Sequence, residues 1–367
     1  MTLRSKILGG VLIFLVLVAA ALAFVLSHNS PCGPAPALAG QGPRMKAIVY
    51  RCYGSPEVLK YEDVAKPTPD DNQLLVKVRA ASINPLESHY MRGTPYIMRL
   101  DAGLGAPTDS SIGVDFSGTV EAVGKRVTQF KVGDEVFGGH DGALAEYVVV
   151  RELGTVALKP PNITFEQAAA VPIAAITALQ GLRDTGQVKA GQKVLINGAS
   201  GGVGTFAVQI AKSYGAEVTG VCSTRNMELV KSLGADHVVD YTREDFTQGT
   251  QRYDMILDNI GNHPLLDYRR VMQPNGIFVI VGGPKGDWLG PLVMPLKAKV
   301  LAPFMSQKFD FFLADLGHRD LEILRDLMQT GKVTPVVDRT YPLREVSAAM
   351  QYLEAGHARG KVIITVP

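Results

Sequence analysis

The sequence predicts an α/β protein in two parts, a compact β-barrel and a doubly wound parallel domain, preceded by one transmembrane helix. Three observations predict it. Residues 45–155 hold short alternating apolar segments punctuated by Gly and Pro; from about residue 165 apolar helices alternate with short strands; and residues 7–26 contain no charged or strongly polar side chain. A chain of 367 residues has room for two domains at ~100–200 residues each, plus an appendage.

The appendage comes first. An apolar run of about twenty residues at ~1.5 Å each spans ~30 Å, the hydrocarbon thickness of a bilayer, so residues 1–27 read as a membrane anchor. A cleaved signal peptide has a shorter apolar core, ~7–15 residues, that ends in a small-residue site. Here the alanines at 19–23 lie inside the run. Residues 28–44, rich in Pro, Gly, Ala and Ser, read as a linker. Arg4 and Lys6 ahead of the run favour the non-cytoplasmic side for the bulk of the chain. Met45-Lys46-Ala47-Ile48-Val49 also reads as the start of a complete soluble chain, which would make residues 1–44 a product of a start codon set too early.

Composition excludes several classes of function. Lys and Arg number 37 against 35 Asp and Glu, a net charge of +2, and no basic stripe tracks a phosphate backbone, so a nucleic-acid partner is not expected. Three cysteines, Cys32, Cys52 and Cys222, none in a CxxC pair, offer neither a disulfide framework nor a cysteine-rich zinc site.

In the body of the chain, residues 74–82 alternate, residues 117–124 and 134–139 are short strands ending in glycine, and residues 143–150 make another. That texture is a barrel. Strands at 193–198, 217–222, 237–241, 255–259 and 277–283 then alternate with helices at 203–214 and 227–233, the order of a parallel sheet with right-handed crossovers. A helix over 344–356 and a strand over 361–366 close the chain.

The most informative segment is Asn197-Gly198-Ala199-Ser200-Gly201-Gly202-Val203-Gly204, which comes after a strand and opens a helix. Glycines there permit a tight turn and let the backbone approach a pyrophosphate, whose charge meets the free N–H groups of the helix end. The fingerprint is imperfect, with Ala199 where a strict GxGxxG has Gly, but the strand-loop-helix context supports it. About twenty residues on, where an acid would bond the ribose of NAD, stand Cys222-Ser223-Thr224-Arg225-Asn226. No carboxylate repels a 2′-phosphate, Ser223 can donate to it and Arg225 can pair with it, so the expected cofactor is NADP(H).

These segments resemble the medium-chain dehydrogenase/reductase superfamily, in its zinc-independent quinone oxidoreductase branch. The resemblance covers 45–367 and is carried by Gly54-Ser55-Pro56-Glu57-Val58-Leu59, Ser82-Ile83-Asn84-Pro85, Gly113-Val114-Asp115-Phe116-Ser117-Gly118, Phe130-Lys131-Val132-Gly133-Asp134-Glu135-Val136-Phe137-Gly138 and the glycine loop. It implies a GroES-like catalytic domain over 45–168, completed by 336–367, around a Rossmann domain over 169–335. It also implies that no metal is bound: zinc-dependent relatives carry Cys where Ser82-Ile83-Asn84 stands and a His-Glu pair where Val114-Asp115 stands. By the same resemblance Asn84 lies near the nicotinamide and Thr177 near its ribose. Gly201, Gly202 and Val203 contact the pyrophosphate, and Ala199, Ser200 and Gly204 belong to the same cofactor-binding loop. Ser223, Arg225 and Tyr241 surround the 2′-phosphate, and Asn259, Gly282 and Gly283 lie at later strand ends. Relatives of this kind often pair as homodimers.

Without zinc to polarise a carbonyl, the expected chemistry is hydride donation from NADPH into an electron-poor acceptor, a quinone or an α,β-unsaturated carbonyl. Tyr90 can donate the proton through its phenol, as can solvent; His89 and Tyr96 are neighbours, and Glu87 orients the group. The acceptor pocket is expected from residues 90–104 and 288–312. An NADPH enzyme on a single-pass anchor would hold its catalytic part in the cytoplasm, against the charge bias. The other expectation is a membrane-tethered NADPH-binding sensor or scaffold without turnover.

Overall fold

In the computed structural model, the structure describes residues 3–34, 42–283, 286–288, 290–301, 303 and 305–367. The linker expected over 28–44 lies partly outside these residues, as does part of the pocket wall expected over 288–312.

The barrel is built from β1 (Arg44–Val49), β2 (Lys60–Ala65), β3 (Gln73–Ile83), β4 (Asp115–Val123), β5 (Glu135–Gly139), β6 (Tyr147–Arg151) and β7 (Val156–Leu158). The cofactor-type domain carries β8 (Lys193–Asn197), β9 (Glu217–Cys222), β10 (His237–Asp240), β11 (Tyr253–Asp258), β12 (Met272–Ile280) and β13 (Lys308–Phe311), and the chain returns through β14 (Val337–Pro342) and β15 (Lys361–Thr365). Strands β8 to β13 form one sheet in the order β10-β9-β8-β11-β12-β13, every pairing parallel. Four of the five residues of β8 are buried, the continuous apolar run expected of a strand covered on both faces. The order reverses at β8, which has β9 on one side and β11 on the other, and ligands of open α/β sheets bind beyond the strand ends at such a point.

The returning strand completes the barrel sheet. Its order is β14-β15-β3-β4-β5-β7, with β6 also on β3, and β15 pairs antiparallel with β3 so that Val362 faces Ile83. Each domain has its own core: Leu74, Val76, Phe116, Val362 and Ile364 in the barrel, Val194, Ile196, Phe206 and Leu257 under the parallel sheet.

The transmembrane helix is not supported. A helix does form, α1 (Leu3–Ser27), but among the described residues no helix is long and apolar enough to cross a membrane. Hydropathy reads the apolar run as facing lipid throughout, yet its last residue, Leu26, is buried. The carbonyls of Leu26 and His28 each accept from the guanidinium of Arg99 at 2.9 Å, and Ser30 N–H donates to Gly105 O at 2.8 Å. The end of the run therefore belongs to the catalytic domain. The single-pass membrane location and the membrane partner fall with the helix. Cys32 pairs with Cys52 in a single disulfide, a bridge not anticipated from the sequence. Cysteine counting misses it because one pair is not a framework and the two residues lie in segments that read as unrelated.

Candidate active site

Helix α2 (Pro85–Arg92) begins where β3 ends, and its N-cap is Asn84. Pro85 suits the first helical position because its missing N–H would have had no partner there. The Asn84 N–H donates to Glu87 Oε2 at 2.7 Å, one half of a capping box. The Asn84 side chain is held at both ends: Nδ2 donates to Asp115 Oδ2 at 3.0 Å, and Oδ1 accepts from Lys361 Nζ.

Asp115, the first residue of β4, is the hub of this cluster. Its Oδ2 also accepts from Ser82 Oγ at 2.7 Å and lies 3.2 Å from Lys361 Nζ, while Oδ1 accepts from Ile173 N–H at 2.9 Å. Ser82, Asn84, Glu87, Asp115 and Lys361 are all buried. Glu87 Oε1 has no hydrogen-bond partner, and burial first, then Asp115, push its carboxyl up to about 7, with Lys361 acting in the opposite direction. Ser82 Oγ thus donates to a carboxylate that also serves Asn84, Lys361 and Ile173. Among the described residues no group of three His, Cys, Asp or Glu side chains could hold a metal ion.

The glycine loop stands at the sheet's reversal point. Gly198 takes φ +77°, a left-handed conformation that glycine adopts without strain. A Cβ on Gly204 would lie 2.1 Å from Gly198 O, so that glycine lets helix α6 (Gly202–Ser213; α3 is Arg99–Ala102, α4 Phe165–Ala169, α5 Pro172–Gln180) approach β8. A Cβ on Gly201 would meet nothing closer than Gly198 O at 3.5 Å. The loop is therefore open where the first N–H groups of α6 lack intrahelical partners, and it fits a dinucleotide pyrophosphate. Ala199 is buried and its N–H donates to Val221 O at 3.0 Å, Ser200 Oγ accepts from Asn226 Nδ2 at 2.9 Å, and Val203 is half-buried on the first turn.

Ser223 and Arg225 sit on the turn after β9, half-buried and exposed respectively, with Arg225 Nη2 donating to His357 O at 2.8 Å. Tyr241 comes directly after β10 and is 57% exposed, with its N–H donating to Cys222 O at 3.1 Å, next to the turn that carries Ser223. Asn259 Nδ2 donates to Asn197 O at 2.9 Å, while its Oδ1 is buried without a partner. Gly282 packs against the backbone of Asn259, where a Cβ would sit 2.0 Å from a carbonyl oxygen, and Gly283 lies under Gly261. Thr177, on α5, donates its hydroxyl to Ile173 O at 2.7 Å, leaving its lone pairs for a ligand.

Tyr90 is half-buried on α2, and burial, helped by Asp141, Asp101 and Glu87, pushes its phenol up, which keeps it protonated. His89 is turned away, with Nδ1 2.8 Å from Thr94 O. Tyr96 stacks edge-on against Trp288 with centroids 4.8 Å apart, and its N–H donates to Asp287 O at 2.6 Å, which ties the segment after α2 to residues 287–288. Sequence reasoning misses Lys361, Asn226 and Arg99. Lys361 carries one signal, a lysine opening an otherwise apolar strand, which reads equally as a solvated strand end.

The fold and this site define a two-domain nicotinamide-dependent oxidoreductase. Residues 70–161 match the alcohol dehydrogenase GroES-like domain family and residues 233–364 the zinc-binding dehydrogenase family. The chain is 37% identical over 335 residues to an NADPH-dependent alkenal/one oxidoreductase, chloroplastic, of Arabidopsis thaliana, covering 87% of this chain and 79% of that one. It is 33% identical over 334 residues to a quinone-oxidoreductase homolog, chloroplastic, of Spinacia oleracea, covering 87% and 98%. The solved quinone oxidoreductase of Coxiella burnetii superposes with a TM-score of 0.77 at 31% identity, covering 89% of this chain and 100% of that one. This chain belongs to the medium-chain dehydrogenase/reductase superfamily, and the zinc-independent quinone oxidoreductase branch fits it.

Proposed function

We propose that this protein is an NADPH-dependent oxidoreductase that transfers hydride to a quinone or an α,β-unsaturated carbonyl. The observation that carries the reading is the glycine loop at the sheet's reversal point, with Ser223 and Arg225 on the turn after β9 and no Asp or Glu among residues 222–226. Bound NADPH supplies the hydride; the protein supplies position, charge and a proton. The α6 N-terminus and Gly201, Gly202 and Val203 hold the pyrophosphate, Ser223, Arg225 and Tyr241 the 2′-phosphate, and Thr177 and Asn259 the groups nearer the nicotinamide. Tyr90, kept as a phenol by its burial, donates a proton to the oxygen on which negative charge develops. The likeness to relatives named as alkenal/one and quinone oxidoreductases supports both acceptor classes. Dimerisation belongs to the same reading, through β13, which is an open edge of the parallel sheet; light scattering of the purified protein tests it.

The experiment is NADPH oxidation against a panel of quinones and short and long enones, with NADH in parallel. Turnover with NADPH in preference to NADH is expected, and the ranking of acceptors separates quinone from enone chemistry. Tight NADPH binding without turnover across the panel would replace this reading with a binding-only sensor.

A further inference from the structure

Lys361 opens β15 with its side chain 4% exposed, and its ammonium uses all its donors: toward Asn84 Oδ1, toward Asp115 Oδ2 at 3.2 Å and toward Ile83 O at 3.3 Å. An ammonium is costly to bury unless it is paired and fully hydrogen-bonded, and this one is. Asp115 in turn takes the Asn84 Nδ2 donor. The Asn84 amide is therefore fixed in one orientation, because a flip would set its NH2 against the ammonium and its oxygen against the carboxylate.

The same residue borders the other end of the cofactor groove. Gly360, just before it, forms a bridge with Gly201 and donates its N–H to Ser200 O at 2.9 Å. The Lys361 stem runs along the glycine loop, with Cδ 3.2 Å from where a Cβ on Gly202 would be. One side chain thus spans from the phosphate loop to the polar group at the end of β3, and the Asp115 carboxylate it pairs with also holds the first turn of α5, the helix that carries Thr177.

We propose that Lys361 is a positioning residue for hydride transfer: it sets the Asn84 amide, and through it the nicotinamide end of the groove, relative to the phosphate loop on which its own strand is docked. This rests on the reductase reading above. Its effect is on alignment more than on affinity, since the groups that hold the phosphates lie elsewhere.

The test compares the full-length wild type with Lys361→Met, Asn84→Ala and the double variant, reading kcat, NADPH affinity, the fluorescence of bound NADPH and Tm. A misalignment of about 1 Å costs about 100-fold in rate, so Lys361→Met is expected to lower kcat by about 10–100-fold while NADPH Kd stays within about 3-fold. The bound-NADPH emission should shift toward that of free cofactor. In the Asn84→Ala background the lysine substitution should add little, because the group through which it acts is gone. Should Lys361→Met fail to fold, Lys361→Gln, which keeps one donor toward Asn84, is read by the same criteria. Additive losses, or a loss of NADPH affinity as large as the loss of kcat, would overturn the proposal. If the wild type turns over no acceptor, the reductase reading fails and fluorescence alone decides: altered emission at retained affinity supports Lys361 as a positioning residue, and unaltered emission rejects it.

Discussion

Arg225, on the turn after β9, donates Nη2 to the carbonyl of His357 at 2.8 Å, in the loop that leads to β15. One donor of the guanidinium is spent across the domain boundary, and its other N–H groups are available to a phosphate. A charge-assisted bond is worth ~1.5–3 kcal/mol, so Arg225→Ala is expected to weaken NADPH binding by about 10–100-fold and NADH binding by less than about 3-fold, measured by fluorescence titration. Equal losses for both cofactors would remove Arg225 from the 2′-phosphate site.

Two glycines of the phosphate loop separate a packing role from a ligand role. Gly204→Ala places a methyl group 2.1 Å from Gly198 O, and both Tm and NADPH binding should fall as α6 is forced off β8. Gly201→Ala meets only an ordinary contact at 3.5 Å, so Tm should hold while NADPH affinity falls. Thermal melts with and without NADPH read both effects, and a Gly201→Ala protein that binds NADPH normally would move the pyrophosphate away from that position.

Glu87 gives the stability a pH dependence whose sign can be worked out. Its carboxyl is pushed up to about 7 from an ordinary value of 4.5, first by burial and then by Asp115. The folded protein therefore holds this proton more tightly than the unfolded chain. The associated stability is complete below about pH 4.5 and is lost as pH rises to about 7. Glu87→Gln stays neutral, so its Tm relative to wild type should improve from pH 5 to pH 7 and then level off. A difference independent of pH would mean that Glu87 is ionised throughout.

The Cys32–Cys52 disulfide closes a loop with a sequence separation of 20, for which the chain-entropy model gives ~3 kcal/mol of stabilisation. Cys32→Ser, or reduction of the wild type, should lower Tm by several degrees. Alkylation of denatured, unreduced protein should modify Cys222 alone, and labelling of all three cysteines without reductant would refute the pairing.

Much of the scaffold is legible because its signals are local. The apolar run of β8, the glycine loop and the start of α6 are contiguous in sequence, and each requires the others. The Ser82-Ile83-Asn84-Pro85 segment announces a strand end and a helix start for the same reason. The features that escape a reading of the sequence depend on partners far away in the chain. Nothing near Lys361 says that its ammonium will meet Asn84, 277 positions away. Nothing in residues 7–26 says that Arg99 will hold the carbonyl at their end, so hydropathy alone makes a membrane span of a helix that finishes on the catalytic domain. Asn84 is expected beside the nicotinamide, but that Asp115 and Lys361 clamp its amide depends on strand register.

The pairing of β15 with β3 bears on how the molecule is made. On a ribosome adding ~10 residues per second, β3 emerges about half a minute before the strand that must lie beside it. The parallel sheet, whose strands succeed one another without interruption from β8 to β13, can assemble during that wait, while β6 covers only the Gln73–Lys77 half of one side of β3 and leaves Ala80–Ile83 unpaired there. Asn84 and Asp115 are then without their lysine, and the buried cluster closes only once β15 has been translated.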